Sequence, residues 1–223
     1  MESSAFDLHL HSIYSKHSVL KPRTIVKQAK KVGLQGIAIT DHDNCRAWKQ
    51  IIGAGKEFKL QIVKGEELKV TFHGKKAGEL MALFLKEPIK SREIHEVIDE
   101  IKKQNALLIV PHPFDLFRRH FQWLSEFNRK LDAIEGFNAR CFSPDFNLDA
   151  QKFAKNYNLA LTGGSDAHFL EEIGRGKTVF QGNSASDLYH AIKNKKTQVS
   201  GHLSELNVHL MTPFAKFGLL KKV

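Results

Sequence analysis

Cysteine is scarce. Two in 223 residues, Cys45 and Cys141, form no motif, which argues against a disulfide scaffold and against a structural zinc site built on thiolate clusters, and predicts a reducing compartment, the cytoplasm by default. No apolar run approaches the roughly 20 residues that span a bilayer, and the start, MESSAFDLHL, lacks the basic-then-apolar pattern of a secretory signal. Internal repeats, low-complexity tracts and obvious linkers are also missing. The net charge of +10 favours anionic partners, yet no dense basic arm and no basic stretch interleaved with aromatics is present, and much of the excess is lysine on expected helix surfaces such as KNKK at 193–196. Composition therefore permits a nucleic-acid partner without pointing to one. With 42% hydrophobic and 26% charged residues, the profile is that of a globular chain, and a single domain over 1–223 is expected.

What is there is alternation. Apolar runs that read as buried strands are AFDLHL, GIAIT (36–40), LQIVKG (60–65), LMALFL (80–85), ALLIV (106–110), AIEGF (133–137) and LALTG (159–163). Helical periodicity occupies Thr24–Val32, Asn44–Lys56, Arg92–Lys103, Asn147–Tyr157 and Ala185–Lys193. Seven strands alternating with helices predict an α/β architecture with a parallel sheet covered on both faces, and closure into a barrel is the natural solution for that number of units. An open doubly wound sheet would share the pattern; in either case ligands bind at the carboxyl ends of the strands. The last stretch, HLMTPFAKFGLLKKV, reads as an element packing on the barrel, because Pro213 interrupts the apolar face that a membrane-surface helix would need.

The strand ends are unusual. The first carries His9 and His11 two residues apart, hence on one side of an extended chain with Leu8 and Leu10 opposite, and His17 follows six residues on. An isolated HxH suits a half-exposed strand as well as a metal. Here, however, the second strand ends in TDHD (Asp41, His42, Asp43), the third in Glu66 and Glu67, the fifth in PHP around His112, and the seventh in GGSDAH with Asp166 and His168. Imidazoles and carboxylates converging on one mouth are the ligand set of Zn²⁺, Mn²⁺ and Fe²⁺, in a number that suits two or three ions sharing a carboxylate. The prolines stiffen the chain around His112, and Gly163–Gly164 permits a sharp turn at the rim. Asp7 and Asp41 are suited to fixing imidazole tautomers. Asp43 and Asp187 read as turn or helix-opening residues.

Taken in order, DLHLHS, AITDHD, GEEL, VPHP and GGSDAH resemble the PHP family (polymerase and histidinol phosphatase domains), metal-dependent phosphoesterases. The resemblance implies a distorted seven-stranded (β/α)7 TIM-like barrel with two or three divalent ions (Zn, Mn or Fe) at its C-terminal mouth, ligated by His9, His11, His17, His42, Glu66, His112, Asp166 and His168. Some family members place an Asp where this chain has Lys16, others a His at the position of His17. The histidine usual on strand four is missing from GELMALFLKEP, and His73 lies too far upstream, so Glu79 or Glu87 is the candidate substitute; Cys141 reads as a buried thiol rather than a ligand. The chemistry implied is hydrolysis of a phosphate ester, with Glu66, His112 and Asp166 at the centre of the reaction and Glu66 bridging. Arg140 at the end of the sixth strand is the first candidate to clamp phosphate, then Arg118 and Arg119, then Arg175. A phosphorylated small molecule is the expected substrate. The alternatives are a polynucleotide, cut by a nuclease-type module, and a barrel in which metals are purely structural.

Overall fold

The computed structural model describes residues 2–118 and 120–223. In chain order its elements are β1 (Ser3–Asp7), α1 (Pro22–Lys31), β2 (Gly36–Ile39), α2 (Trp48–Phe58), β3 (Gln61–Phe72), β4 (Lys75–Leu83), α3 (Ile94–Lys103), β5 (Leu107–Val110), the single turn α4 (Leu124–Phe127), β6 (Ala133–Asn138), α5 (Pro144–Tyr157), β7 (Ala160–Gly164), β8 (Gly176–Gln181), α6 (Ala185–Lys193), β9 (Gln198–Gly201) and α7 (Leu206–Lys216). Local signals explain the helices. Proline at the first turn opens α1, where its missing N–H costs nothing, and Ser143 caps α5 by accepting from the Asp145 amide. In α3, Ile94, Val97, Ile98 and Ile101 form the buried stripe of an amphipathic helix.

Nine strands among the described residues form one sheet in the order β7-β6-β5-β4-β3-β2-β1-β8-β9. It is mixed: β1–β2–β3 and β5–β6–β7 run parallel, while β4, β8 and β9 pair antiparallel. The chain beyond β1 then meets the chain beyond β7. The Leu8 amide donates to Gly163 O at 3.3 Å, the Asp166 amide to His9 O at 2.7 Å and the His11 amide to Ala167 O at 3.1 Å, so the sheet nearly closes into a barrel. The α/β barrel-like fold matches the sequence expectation, but the seven-stranded (β/α)7 pattern gives way to nine strands. Between β3 and β4 there is no helix: His73 and Gly74, both at positive φ, make a two-residue hairpin turn. The two unexpected strands, β8 and β9, lack a continuous apolar run; β8 buries only alternate residues.

Parity decides what faces inward. Phe6, Leu8, Ala38, Val63, Met81, Leu83, Leu107, Ile109, Ala133, Ala160 and Phe180, drawn from all eight of the first strands or their direct extensions, make one core inside the barrel, joined by Leu188 and Ile192 of α6. A second core packs the outside of β3–β6 against α3, and a third packs β2 against α1 and α2. Leu8 belongs to the inner core and Leu10 to the outer one, so strict alternation, expected through DLHLHS, fails between them; regular strand ends at Asp7.

Candidate metal centre

The polar end of the barrel is its C-terminal mouth. On β3, Val63 faces the inner core, so Gly65 and Glu67 share its side and Glu66 the opposite one. Glu67 is accordingly fully buried among histidines. Its Oε2 lies 3.4 Å from His9 Nε2, 3.3 Å from His11 Nε2 and 3.0 Å from His42 Nδ1, while Oε1 lies 3.1 Å from His112 Nε2. Asp166 Oδ1 adds a second carboxylate 3.2 Å from His11 Nε2. Glu79, opposite Lys69 on β4, brings Oε2 to 3.7 Å from His112 Nε2. It lies on β4 and reaches the cluster, whereas Glu87 lies past β4 with its amide bonded to Gln104.

Glu66 requires correction. Its carboxylate points out of the mouth, accepting from Arg92 Nη2 at 3.1 Å, from the Ile89 amide at 3.2 Å and from Cys45 Sγ at 3.3 Å. Glu67, one residue on, lies among the histidines instead. The other expected ligands His9, His11, His42, His112, Asp166 and His168 converge. His17 stands at the rim, half-buried, with its ring 6.0 Å from that of His42 and 6.2 Å from that of His168.

Several of these atoms have no ordinary partner. His9 Nε2, His11 Nε2, His42 Nδ1, Glu67 Oε2 and Asp166 Oδ1 are buried without a hydrogen bond, each a cost of about 1–3 kcal/mol unless something else binds it. Three-donor groups, with ligand atoms within 4.8 Å of one another, are His11–His42–His168, His9–His11–Glu67 and His42–Glu67–Glu79. Imidazole nitrogens and carboxylate oxygens left unpaired in this way fit divalent cations. The electrostatics agree. Burial alone would pull His9 down, but Asp166, Glu135 and Glu67 outweigh it and hold the imidazole well above its usual range. Against the same burial, His42 and His9 hold Glu67 well below the carboxylate range, and Arg118 and His9 do so for Asp166. The cluster attracts positive charge.

Neighbouring groups orient the ligands. Glu135, buried on β6, accepts from His9 Nδ1 at 3.0 Å through Oε1 and from the His112 amide (2.8 Å) and Asn138 Nδ2 (2.9 Å) through Oε2. That bond commits His9 Nε2 to the cluster. His168 Nδ1 similarly donates to Asp166 O at 2.8 Å. Among the non-glycine residues at positive φ are two ligand candidates, His112 at +30° and Asp166 at +55°, as expected where a site dictates side-chain aim. Asp7 and Asp41 do not touch imidazoles. Asp7 ties the end of β1 to the amides of Ser165 and Gly174, and burial pushes it up to about 6. Asp41 accepts from Ser12 and Ser15, and the Ser15 hydroxyl in turn meets His11 Nδ1 at 3.3 Å and the His42 amide at 3.0 Å.

Glu135 was missed at the sequence level. The available signal was an isolated glutamate inside an otherwise apolar strand, which must find buried partners. Glu135→Gln keeps the size but turns one end of the hub into a donor. We expect metal affinity to fall about 10- to 100-fold, measured by competition with a chromogenic chelator, with the fold retained by circular dichroism.

Both expected clamp arginines line the cleft above the cluster, a space of about 390 Å³ that also touches His17, His42, Lys69, Glu79 and His168. They differ in their ties. Arg118 Nη1 lies 2.5 Å from Asp166 Oδ2. Arg140 is tethered away from the ligands, its Nε 3.2 Å from Glu172 Oε1 and its Nη2 2.6 Å from Thr212 Oγ1 on α7. Arg175 binds Glu205 and the Leu203 and Glu171 carbonyls instead; Arg119 lies outside the described residues. Cys141 is buried, and burial raises its thiol pKa. Asp187 closes a capping box with Ser184, and Asp43 binds the Lys69 amide at a left-handed turn. No helix among the described residues is long and apolar enough to cross a membrane.

Comparison with known proteins places this geometry in a family. Residues 144–197 match the PHP-associated family. Two uncharacterized proteins of Methanocaldococcus jannaschii are similar: MJ0417 at 37% identity over 75% of this chain and 67% of its own, and MJ1587 at 38% over 60% and 81%. A crystal structure of a two-domain Bacteroides vulgatus protein, described as containing a predicted PHP-like metal-dependent phosphoesterase, superposes with a TM-score of 0.76 at 20% identity, covering 97% of this chain and 70% of that one. The ordered motifs, the histidine–carboxylate mouth and these similarities agree: the chain belongs to the PHP family.

Proposed function

We propose that the chain is a metal-dependent hydrolase of phosphate esters, most suited to small phosphorylated molecules. The observation that carries this reading is the set of buried, unpartnered nitrogen and oxygen atoms gathered around Glu67 at the floor of a cationic cleft. His9, His11, His42, Glu67, Glu79, His112, Asp166 and His168 would hold two or three Zn²⁺, Mn²⁺ or Fe²⁺ ions, and Glu67, which faces four of the imidazoles, would be the central carboxylate. When bound, such ions acidify water and neutralise phosphoryl charge. The chain's own side chains supply the rest. Arg118, beside Asp166 and facing the cleft, binds phosphoryl oxygens, and Lys69 adds positive charge at the rim. Glu135 and Ser15 keep His9 and His11 aimed inward.

A second groove, about 580 Å³ and lined by Lys69, Lys76, Arg92 and Arg118, meets the cleft at Lys69 and Arg118. It favours a longer polyanion, such as a polynucleotide, as the second reading. Protein reconstituted with Mn²⁺ should hydrolyse a chromogenic phosphate monoester faster than it cuts a single-stranded oligonucleotide, and neither after chelation. Cleavage of the oligonucleotide alone would favour the second reading; no hydrolysis of either with any of the three metals would overturn both.

The arginines give a sharper test. Arg118→Lys keeps charge but loses the planar fork, and should lower kcat/KM about 10- to 100-fold at nearly unchanged melting temperature. Arg140→Lys breaks the Glu172–Arg140–Thr212 tether and should chiefly lower the melting temperature. Scanning calorimetry beside steady-state kinetics separates the two.

A further inference from the structure

The cleft has one wall that the phosphoester reading leaves unused. Phe117, on the loop after His112, is 73% exposed, and Phe142, just beyond β6, is 46% exposed; both line the cleft. Their ring centroids are 5.1 Å apart at 60°, and His209 of α7 lies 4.4 Å from Phe142 at 32°. Burial, with Arg140 and Arg118 nearby, pushes His209 down to about 4, so its ring is neutral at pH 7 and extends the aromatic surface. Phe146, 6.3 Å from Phe117, supports the pair from behind. Exposed phenylalanines on loops bury little of their own chain, so packing does not account for them.

The cleft thus joins a metal-ligating floor, with Arg118 and Lys69 beside it, to an aromatic wall. An ordinary phosphorylated sugar or polyol would satisfy the first and waste the second. We infer that Phe117 and Phe142 form a subsite for a planar aromatic ring carried on the alcohol side of the phosphate ester. The inference rests on the phosphoester reading of the site. Every ring of this kind offers a π-face, so the subsite tolerates a nucleobase and an aryl group alike; the shared chemistry is a flat ring tethered to a phosphate.

Phosphonates test this without turnover, because their C–P bond is not hydrolysed by phosphoesterase chemistry. Calorimetric titration of Zn²⁺-loaded protein should show benzylphosphonate binding at least about fivefold more tightly than cyclohexylmethylphosphonate, the lower end of ring stacking. The double variant Phe117→Leu/Phe142→Leu, checked for an unchanged melting temperature, should lose that preference. Comparing adenosine 5′-monophosphate with ribose 5-phosphate then assigns the ring: a preference here as large as with benzylphosphonate marks a nucleobase subsite, a smaller one a general aryl subsite, and both support the wall. Equal affinities for the aromatic and saturated phosphonates in the wild type, or a preference that survives the double variant, would overturn the inference alone. A double variant that shifts a dimer to monomer with unchanged phosphonate affinities would assign the wall to a subunit interface and overturn it as well. Failure of every phosphonate, methylphosphonate included, to bind would overturn it together with the phosphoester reading.

Discussion

Glu67→Gln should strip the centre of metal and remove nearly all hydrolysis. Among the described residues Glu67 is the one carboxylate within 3.4 Å of four imidazoles, and its Oε2 alone faces three of them. An amide in its place carries no charge and directs a donor into a cluster of ligand atoms. Removing one partner from a buried charged network costs about 3–5 kcal/mol, which corresponds to roughly two to four orders of magnitude in rate or affinity. Glu66→Gln is the matched control, one residue away and equally buried. It should weaken the Arg92 and Cys45 contacts and lower stability by about 1–2 kcal/mol while leaving bound metal unchanged. Elemental analysis and urea unfolding of both variants check the pair. Equal metal loss in the two would mean that strand parity does not separate their roles.

The second large effect is mechanical. The near-closure of the barrel places Gly164 against the backbone that carries His9. A methyl group at Gly164 would stand 2.3 Å from His9 Cβ and 2.7 Å from His9 N, where neither atom can swing aside. Gly164→Ala must therefore push the ends of β1 and β7 apart. Overpacking of this kind costs up to about 3 kcal/mol, or a drop of about 6–12 °C in melting temperature for a chain of this size. Metal affinity should fall too, since the displaced backbone carries the candidate ligand His9. Gly53→Ala on α2, where an added methyl group meets nothing within 4 Å, should be neutral or slightly stabilising. Calorimetry on the two variants measures the contrast.

Most of the barrel is legible in the sequence because buried parallel strands are continuous apolar runs, and β2, β5, β6 and β7 fall on GIAIT, ALLIV, AIEGF and LALTG. The strands that pair antiparallel are harder. LQIVKG and LMALFL mark only the two ends of the β3–β4 hairpin, since KVTFHGKKAGEL between them is no continuous apolar run. GKTVFQ buries alternate residues and QVSG is largely exposed, so neither of these two presents a run to find. In the site, histidines and aspartates at strand ends are recognisable because little else explains them there. Glu66 and Glu67 are a different problem: adjacent glutamates on a strand point opposite ways, and the choice needs one residue of known direction. Val63 in the inner core provides it, by counting in twos to Glu67. Phe117 and Phe142 were illegible as a wall, because only the folded loops after β5 and β6 bring them together.

The central claim is that the mouth of this barrel holds more than one catalytic divalent ion. Its most direct test is the metal content of wild-type protein, measured by elemental analysis after loading separately with Zn²⁺, Mn²⁺ and Fe²⁺ and gel filtration, and plotted against phosphate-monoester hydrolysis on the same samples. Two or more equivalents per chain with at least one metal, and activity that rises with occupancy, are predicted. Less than one equivalent with every metal, or hydrolysis that persists undiminished after the metal is removed, would contradict it.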